Sequence, residues 1–184
     1  MYKATPEEMK NLVDSLLVSY QKHPVICNID CTNRLNRNMT IEILEMIRFV
    51  LFPGYFELKN LKGSSIEYHV GELLENIQYK LKKQVAKALQ HEQITGELTE
   101  EGAEARAEEI VLQFLQKLPE LRDILATDVQ AAYDGDPAAY NTDEIIFSYP
   151  GVYAVTINRI APELHVLGVP LIPRMMTEYA HKLT

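Results

Sequence analysis

Asp136 is the residue whose neighbours best prepare it for chemistry. Gly135 precedes it and Pro137 follows it. A proline disfavours the helical region for the residue before it, so Asp136 is expected in extended backbone outside any helix. A carboxylate held there can bind an ammonium group, and connecting segments on a rigid scaffold are where such contacts concentrate. The same Asp-Pro step also suits an Asx turn, in which the carboxylate accepts a hydrogen bond from backbone two residues on. On the residues alone both readings stand, and Pro137 has a structural part in each.

Asp128 falls on one helical face with Leu125 and Val129, and Arg159 takes a similar place in its own helix. An unpaired charge on such a face would be costly, so the two are expected to form a buried charge pair with a structural role. Cys27 and Cys31 lie four residues apart with His23 one turn further back, and a helix through them would align all three. Structural zinc takes four ligands, usually with paired C-x2-C spacing, and no second cysteine pair exists, so reduced, partly buried thiols and no metal are expected. His165 and the Glu178-x-x-His181 step lack convergent partners and are expected at the surface. No Ser/His/Asp arrangement and no glycine-rich phosphate loop is recognisable, and no residue is assigned as catalytic.

The elements that must position these residues all read as helices. Thr5-Pro6-Glu7-Glu8 supplies an N-cap, a first-turn proline and a capping-box glutamate for a helix carrying Leu12, Val13, Leu16, Leu17 and Tyr20 on one face, ended by Pro24. Thr40 is expected to cap a second helix with Ile41, Leu44, Ile47 and Leu51, closed by Pro53-Gly54. Ser64 and Glu67 form another candidate capping box, opening the longest helix, with Ile66, Val70, Leu73, Leu74, Ile77, Leu81, Val85, Ala88 and Leu89 at helical spacing. Gln93 to Gly102 is polar, with two glycines, and is expected as a loop or hairpin tip. Ala107, Ile110, Val111, Phe114 and Leu118 form the next stripe, and Pro119 restarts a helix through Leu121, Ile124, Leu125, Val129 and Ala132. Thr142 is expected to cap a short helix through Ile145 and Ile146. Pro150 opens a helix over Val152 to Gly168, in which Val155, Arg159, Ile160, Leu164 and Leu167 recur at three- and four-residue steps, and Pro173 starts a final one. Pro162 lies inside the Val152 helix, where it removes a bond to the Asn158 carbonyl and costs on the order of 3 kcal/mol unless the helix bends.

The expectation is an all-α fold occupying 1-184 as a single helical domain: N-terminal helices over 1-60, long helices over 64-134 with a tip near 93-102, and motif-bearing helices over 136-184. With 184 residues and 47% apolar content the chain can bury one substantial core. A net charge of -8 disfavours phosphodiester backbones, and only the helix over Lys80 to Lys87 gathers basic residues, so nucleic acid is not an expected partner. The N-terminus lacks a signal-peptide pattern and no apolar run is long enough to span a bilayer, so no membrane partner and a cytoplasmic location are expected.

One ordered set of motifs carries more than these patterns. Asp128-Val129-Gln130-Ala131, Asp136-Pro137-Ala138, Tyr149-Pro150-Gly151, Asn158-Arg159-Ile160-Ala161 and Val169-Pro170-Leu171-Ile172-Pro173-Arg174 follow in sequence. This run resembles the N-terminal helical domain of bacterial serine O-acetyltransferases, which acetylate the serine hydroxyl for cysteine synthesis. The resemblance is strong over Asp128 to Tyr179 and looser before. It implies that Asp136 contacts the amino group of L-serine, or of the feedback inhibitor L-cysteine. It also implies acetyl-coenzyme A as co-substrate of the full-length enzyme, with no cofactor in this chain, and a homo-oligomer through the helical domain, with full-length serine acetyltransferase as a further candidate partner.

In that family a left-handed β-helix of hexapeptide repeats follows the Tyr179-Ala180-His181 region and carries the catalytic base. No six-residue repeat occurs in these 184 residues, so the chain alone is expected to be inactive. The alternative is a non-catalytic helical interaction or regulatory module derived from the family. An apolar surface near Ile172 to Tyr179 is expected to lie exposed where the β-helix would dock. The family usually has His where Pro162 stands, which points to an altered or relaxed copy, or to a tolerated kink.

Overall fold

A computed structural model describes residues 4-29, 34-56, 63, 65-92 and 98-183. Their regular structure is entirely helical, with no strand among the described residues. The chain divides into two compact units, Met1–Thr32 and Asn33–Thr184.

The first unit holds α1 (Pro6–Lys22) and a 3-10 turn at Pro24–Ile26. α1 begins on the expected capping box: Thr5 Oγ1 accepts from the Glu8 N–H at 3.2 Å, and Glu8 Oε2 accepts from the Thr5 N–H at 2.7 Å. Its apolar residues Leu12, Val13, Leu16, Leu17 and Tyr20 stay 44–55% exposed. Cys27 is a free thiol in extended backbone after the 3-10 turn, so the helix that would have aligned it with His23 does not form. Cys31 lies outside the described residues, as do Ser64 and the segment 93–97.

The second unit holds α2 (Arg37–Leu51), α3 (Ile66–Glu92), α4 (Glu100–Gln116), α5 (Leu118–Gly135), α6 (Thr142–Ser148), α7 (Pro150–Val166) and α8 (Ile172–Ala180). α3 and α4 pair along their lengths, α2 lies on α3, and α7 packs against α4, α5, α6 and α8. The core draws Ile43, Leu44 and Ile47 from α2, Ile77, Leu81 and Val85 from α3, Ala107, Ile110, Val111 and Phe114 from α4, and Leu121 and Leu125 from α5. These repeat at three- and four-residue steps, the condition for one helix face to reach a common interior. Gln84, buried in this interior, is satisfied by accepting the Asn36 N–H at 2.9 Å.

The caps fall on different residues than expected. Asn36 caps α2 by accepting the Asn38 and Met39 N–H groups, and Thr40 sits one turn inside with its hydroxyl on the Asn36 carbonyl. Asn141 caps α6 through the Glu144 N–H, leaving Thr142 as the first helical residue. In both places the asparagine stands earlier in the sequence and its amide oxygen reaches the free first-turn donors. Gly102 is helical, because Thr99 caps α4 through the Gly102 N–H at 3.1 Å.

α7 starts at Pro150 as expected and ends in a Schellman motif. The Gly168 N–H reaches the His165 carbonyl and the Val169 N–H reaches the Leu164 carbonyl, with Gly168 at φ +80°. Val169 and Leu164 are both buried, giving the apolar contact that accompanies this motif. The inward face of α7 is Ala154, Ile157, Ile160, Ala161 and Leu164, while Val155 is 38% exposed. Contacts from four neighbouring helices set that rotation, which the apolar spacing alone leaves ambiguous. The expected exposed surface on α8 does not exist: Ile172, Pro173, Met176 and Ala180 are buried against the rest of the unit.

Pro162 lies within α7 on its exposed side, between buried Ala161 and Leu164. The helix continues through it, so the missing N–H is a cost carried inside a packed element. Pro162→His is expected to raise the stability of the unit by about 1–3 kcal/mol, read from urea unfolding midpoints. An unchanged or lowered midpoint would show that α7 is shaped around the proline.

Candidate functional site

The last residue of α5 is Gly135, and Asp136 follows in extended backbone at φ -119°, ψ 100°, as Pro137 requires. Its Oδ1 accepts the Ala138 N–H at 2.9 Å, closing the Asx turn, and its main-chain carbonyl accepts the Ala139 N–H at 3.0 Å. Oδ2 accepts the Tyr149 hydroxyl at 2.5 Å. Tyr149 is the residue immediately before α7, and Pro150 fixes the first helical position after it. The 12 residues between Asp136 and Tyr149 therefore form a loop, carrying α6, whose ends are tied together by one side-chain bond.

That bond sets the electrostatics of both groups. The Tyr149 hydroxyl first, and the Ala138 N–H second, hold the Asp136 carboxyl below its ordinary range. Conversely, donation to Asp136, reinforced by burial and by the negative charge, pushes the Tyr149 phenol up to about 12. Asp136 is thus a carboxylate and Tyr149 a neutral donor at neutral pH. Each carboxylate oxygen has two acceptor positions, so a ligand ammonium can share Asp136 or displace the tyrosine.

Asp128 and Arg159 form the second tie between α5 and α7. Arg159 Nε donates to Asp128 Oδ2 at 3.0 Å and Nη2 to Oδ1 at 2.9 Å, a two-pronged pair. The expected pairing is present, but the expected burial is not: the side chains are 45% and 23% exposed. A small crevice of about 180 Å³ lies beside it, lined by Leu125, Asp128, Ala132, Tyr149, Gly151 and Val152, among others. A β-carbon on Gly151 would meet nothing within 4 Å, so the crevice mouth is open there. Within the Asp128 motif, Val129 is buried and Gln130 bonds Asp134 one turn on. The first four spaced motifs thus meet through these two ties, which fix α5 against α7 and hold Asp136 on Tyr149.

His165, Glu178 and His181 are exposed, as expected. Among the described residues no group of three or more His, Cys, Asp or Glu is placed to hold a metal ion, and no helix is long and apolar enough to cross a membrane. Two basic side chains of α3 pair with acids on neighbouring helices, Lys80 with Glu42 of α2 and Lys82 with Glu108 of α4.

Sequence reasoning missed two features. Tyr149 was visible only as part of a motif, and nothing in a one-dimensional pattern says that its hydroxyl meets Asp136. Farther along α7, the Tyr153 hydroxyl donates to Glu45 at 2.5 Å, and the Arg48 guanidinium lies between the Phe56 and Tyr153 rings at 3.4 and 4.3 Å. Burial first, then the Glu45 bond, raises the Tyr153 phenol well above its ordinary value. Tyr153 and Glu45 are more than a hundred residues apart, so no local signal exists.

Tyr149→Phe removes the larger of the two bonds that depress the Asp136 carboxyl, and the carboxyl should then titrate closer to its ordinary value of 3.8. Because the folded value is lowered, the stability it contributes is present above the unfolded value and lost as pH falls through the folded one. The wild-type chain should therefore lose more stability than Tyr149→Phe as pH drops below that range. Carboxyl-carbon NMR titration with acid-side urea melts checks this, and an unshifted Asp136 in the variant would break the link.

No protein-family profile matches the chain. A plasmid-encoded serine acetyltransferase of Synechococcus elongatus is 40% identical over 145 residues, covering 77% of this chain and 46% of that protein. Serine acetyltransferase 1 of Entamoeba histolytica, solved with L-cysteine, superposes with a TM-score of 0.60 at 30% identity over 81% of this chain and 47% of its own. Isoform 3 from the same organism, also solved with cysteine, gives 0.62 at 26% identity over 93% and 55%. The chain spans about half the length of these relatives, and its all-helical fold is that of their N-terminal regions.

Proposed function

We propose that this chain, which is homologous to serine acetyltransferases over about half their length, works as one helical module within such an enzyme. Its roles are to present the Asp136 carboxylate to the ammonium group of L-serine, or of L-cysteine as inhibitor, and to join copies of the enzyme. Acetyl-coenzyme A is the co-substrate of the reaction so completed, and the cytoplasm its place. The observation that carries the reading is the tying of α5 to α7 by Asp128–Arg159 and Asp136–Tyr149, which fixes a carboxylate in extended backbone on the hydroxyl of Tyr149, a residue that lines the crevice. Two solved neighbours were crystallised with cysteine, which is the same class of ligand.

Acetyl transfer to a hydroxyl needs a general base, a bound thioester and a serine held in attack geometry, and Asp136 serves only the last. The 184 residues alone should therefore release no coenzyme A from acetyl-coenzyme A and serine above background. They should bind serine or cysteine no tighter than about millimolar, because a single partly exposed carboxylate is screened by water. Thiol release by the purified chain that disappears in Asp136→Ala would overturn this division of labour. Saturable cysteine shifts in NMR spectra that Asp136→Ala abolishes would support the assigned contact.

A second reading has its own support. Both Asp136 oxygens are already engaged, by Ala138 and Tyr149, as a purely structural aspartate would be, and this favours a non-catalytic interaction module. Cysteine titration that leaves the Asp136 and Tyr149 resonances unmoved would select it. By the resemblance, trimers of such enzymes form through the β-helix, so on either reading the chain alone should be a monomer or dimer by light scattering, and a stable trimer would contradict this.

A further inference from the structure

The ends of three helices meet around a second cavity, of about 500 Å³, which shares no lining residue with the crevice beside Asp128. His91 comes from the last turn of α3, His165 from the last turn of α7 and Arg174 from the first turn of α8. The rest of the lining is Val169, Pro170, Leu171 and Pro173. This volume falls in the range of small-molecule sites, and the mix of apolar wall with a few polar groups is what such sites share.

The charge distribution gives the cavity its character. The chain carries a net charge of -8, and several basic side chains elsewhere are matched to acids: Lys80 to Glu42, Lys82 to Glu108, Arg106 to Glu109, Lys117 to Glu120 and Arg159 to Asp128. Among the described residues Arg174, His91 and His165 make no ion pair or side-chain hydrogen bond, and no acidic side chain among them lines the cavity. α8 also begins without a capping side chain, on Leu171 held at φ 59°. A non-glycine residue in that region costs energy, and such strain persists only where the surrounding structure holds it. Here the buried Val169 and Ile172 on either side fix the turn that carries Arg174 to the cavity.

We propose that this cavity is a binding site for a small organic oxyanion, with Arg174 as the main anchor, His91 and His165 as further donors, and the two prolines and Leu171 against the apolar part of the ligand. A guanidinium can grip a phosphate or carboxylate through two parallel bonds, and imidazoles add donors from other directions. The site is separate from the Asp136 carboxylate, which attracts the opposite charge.

Amide NMR of the whole chain, titrated with inorganic pyrophosphate and separately with citrate at constant ionic strength, tests this and distinguishes phosphate from carboxylate ligands. At least one should give saturable shifts at His91, His165 and Val169 to Met175. Arg174→Gln should weaken that binding by about tenfold, the scale of one lost charge-assisted pair, and His91→Gln with His165→Gln should weaken it less. All three side chains lie at the cavity surface, and thermal unfolding confirms that the variants remain folded. Shifts that do not saturate, that spread equally over Lys10, Lys22 and Lys182, or that survive Arg174→Gln unchanged would overturn the proposal.

Discussion

The second unit depends above all on the burial of one face of α7. Ala154, Ile157, Ile160, Ala161 and Leu164 lie between 0% and 7% exposed, and the helix touches α4, α5, α6 and α8. Fully burying a side chain such as Ile or Leu contributes about 1.5–3 kcal/mol, while a partly exposed ion pair contributes a fraction of one such side chain. The core therefore holds the helices together, and the Asp128–Arg159 fork selects which register of α7 against α5 is kept. This also explains how Pro162 is tolerated. Its neighbours Ala161 and Leu164 stay packed, and the lost backbone bond falls on the exposed side.

Register matters because the site is built from it. Asp136 ends one helix and Tyr149 precedes the next, so the bond between them forms only if α5 and α7 stand in the right relative position. The loop between is short and carries α6, whose Asp143 accepts the Tyr55 hydroxyl at 2.7 Å beside the Phe52, Phe56 and Phe147 rings. The carboxylate is thereby fixed by α5, by the start of α7 and, through α6, by the segment that follows α2. A carboxylate so fixed is preorganised, whether its partner is a ligand or only Tyr149.

The same packing explains why the surface expected on α8 is absent. The Schellman turn at Gly168 and the strained Leu171 fold α8 back along α7, so Ile172 and Met176 complete the core of this unit. What remains on that side is a cavity where Arg174 and two histidines stand against an apolar wall of Val169, Pro170, Leu171 and Pro173.

Much of this was legible in the residues themselves. Helix identity, the Thr5 capping box, the first-turn prolines at 6, 119, 150 and 173, and Gly168 as the stop of α7 are local events, decided within a turn or two of backbone by donors left unpaired at helix ends and by the limits on proline and glycine. The extended backbone of Asp136 was equally local, imposed by Pro137. Which of two nearby residues caps a helix was less so: Asn36 and Asn141 act in place of Thr40 and Thr142 because helix starts depend on where packing lets the first turn begin. The rotation of α7, the half-exposed state of the Asp128–Arg159 pair, the burial of α8, the grip of Tyr149 on Asp136 and the meeting of His91, His165 and Arg174 belong to the tertiary structure alone. Each joins residues on different helices, and periodicity specifies that a helix has an apolar face without specifying what that face meets.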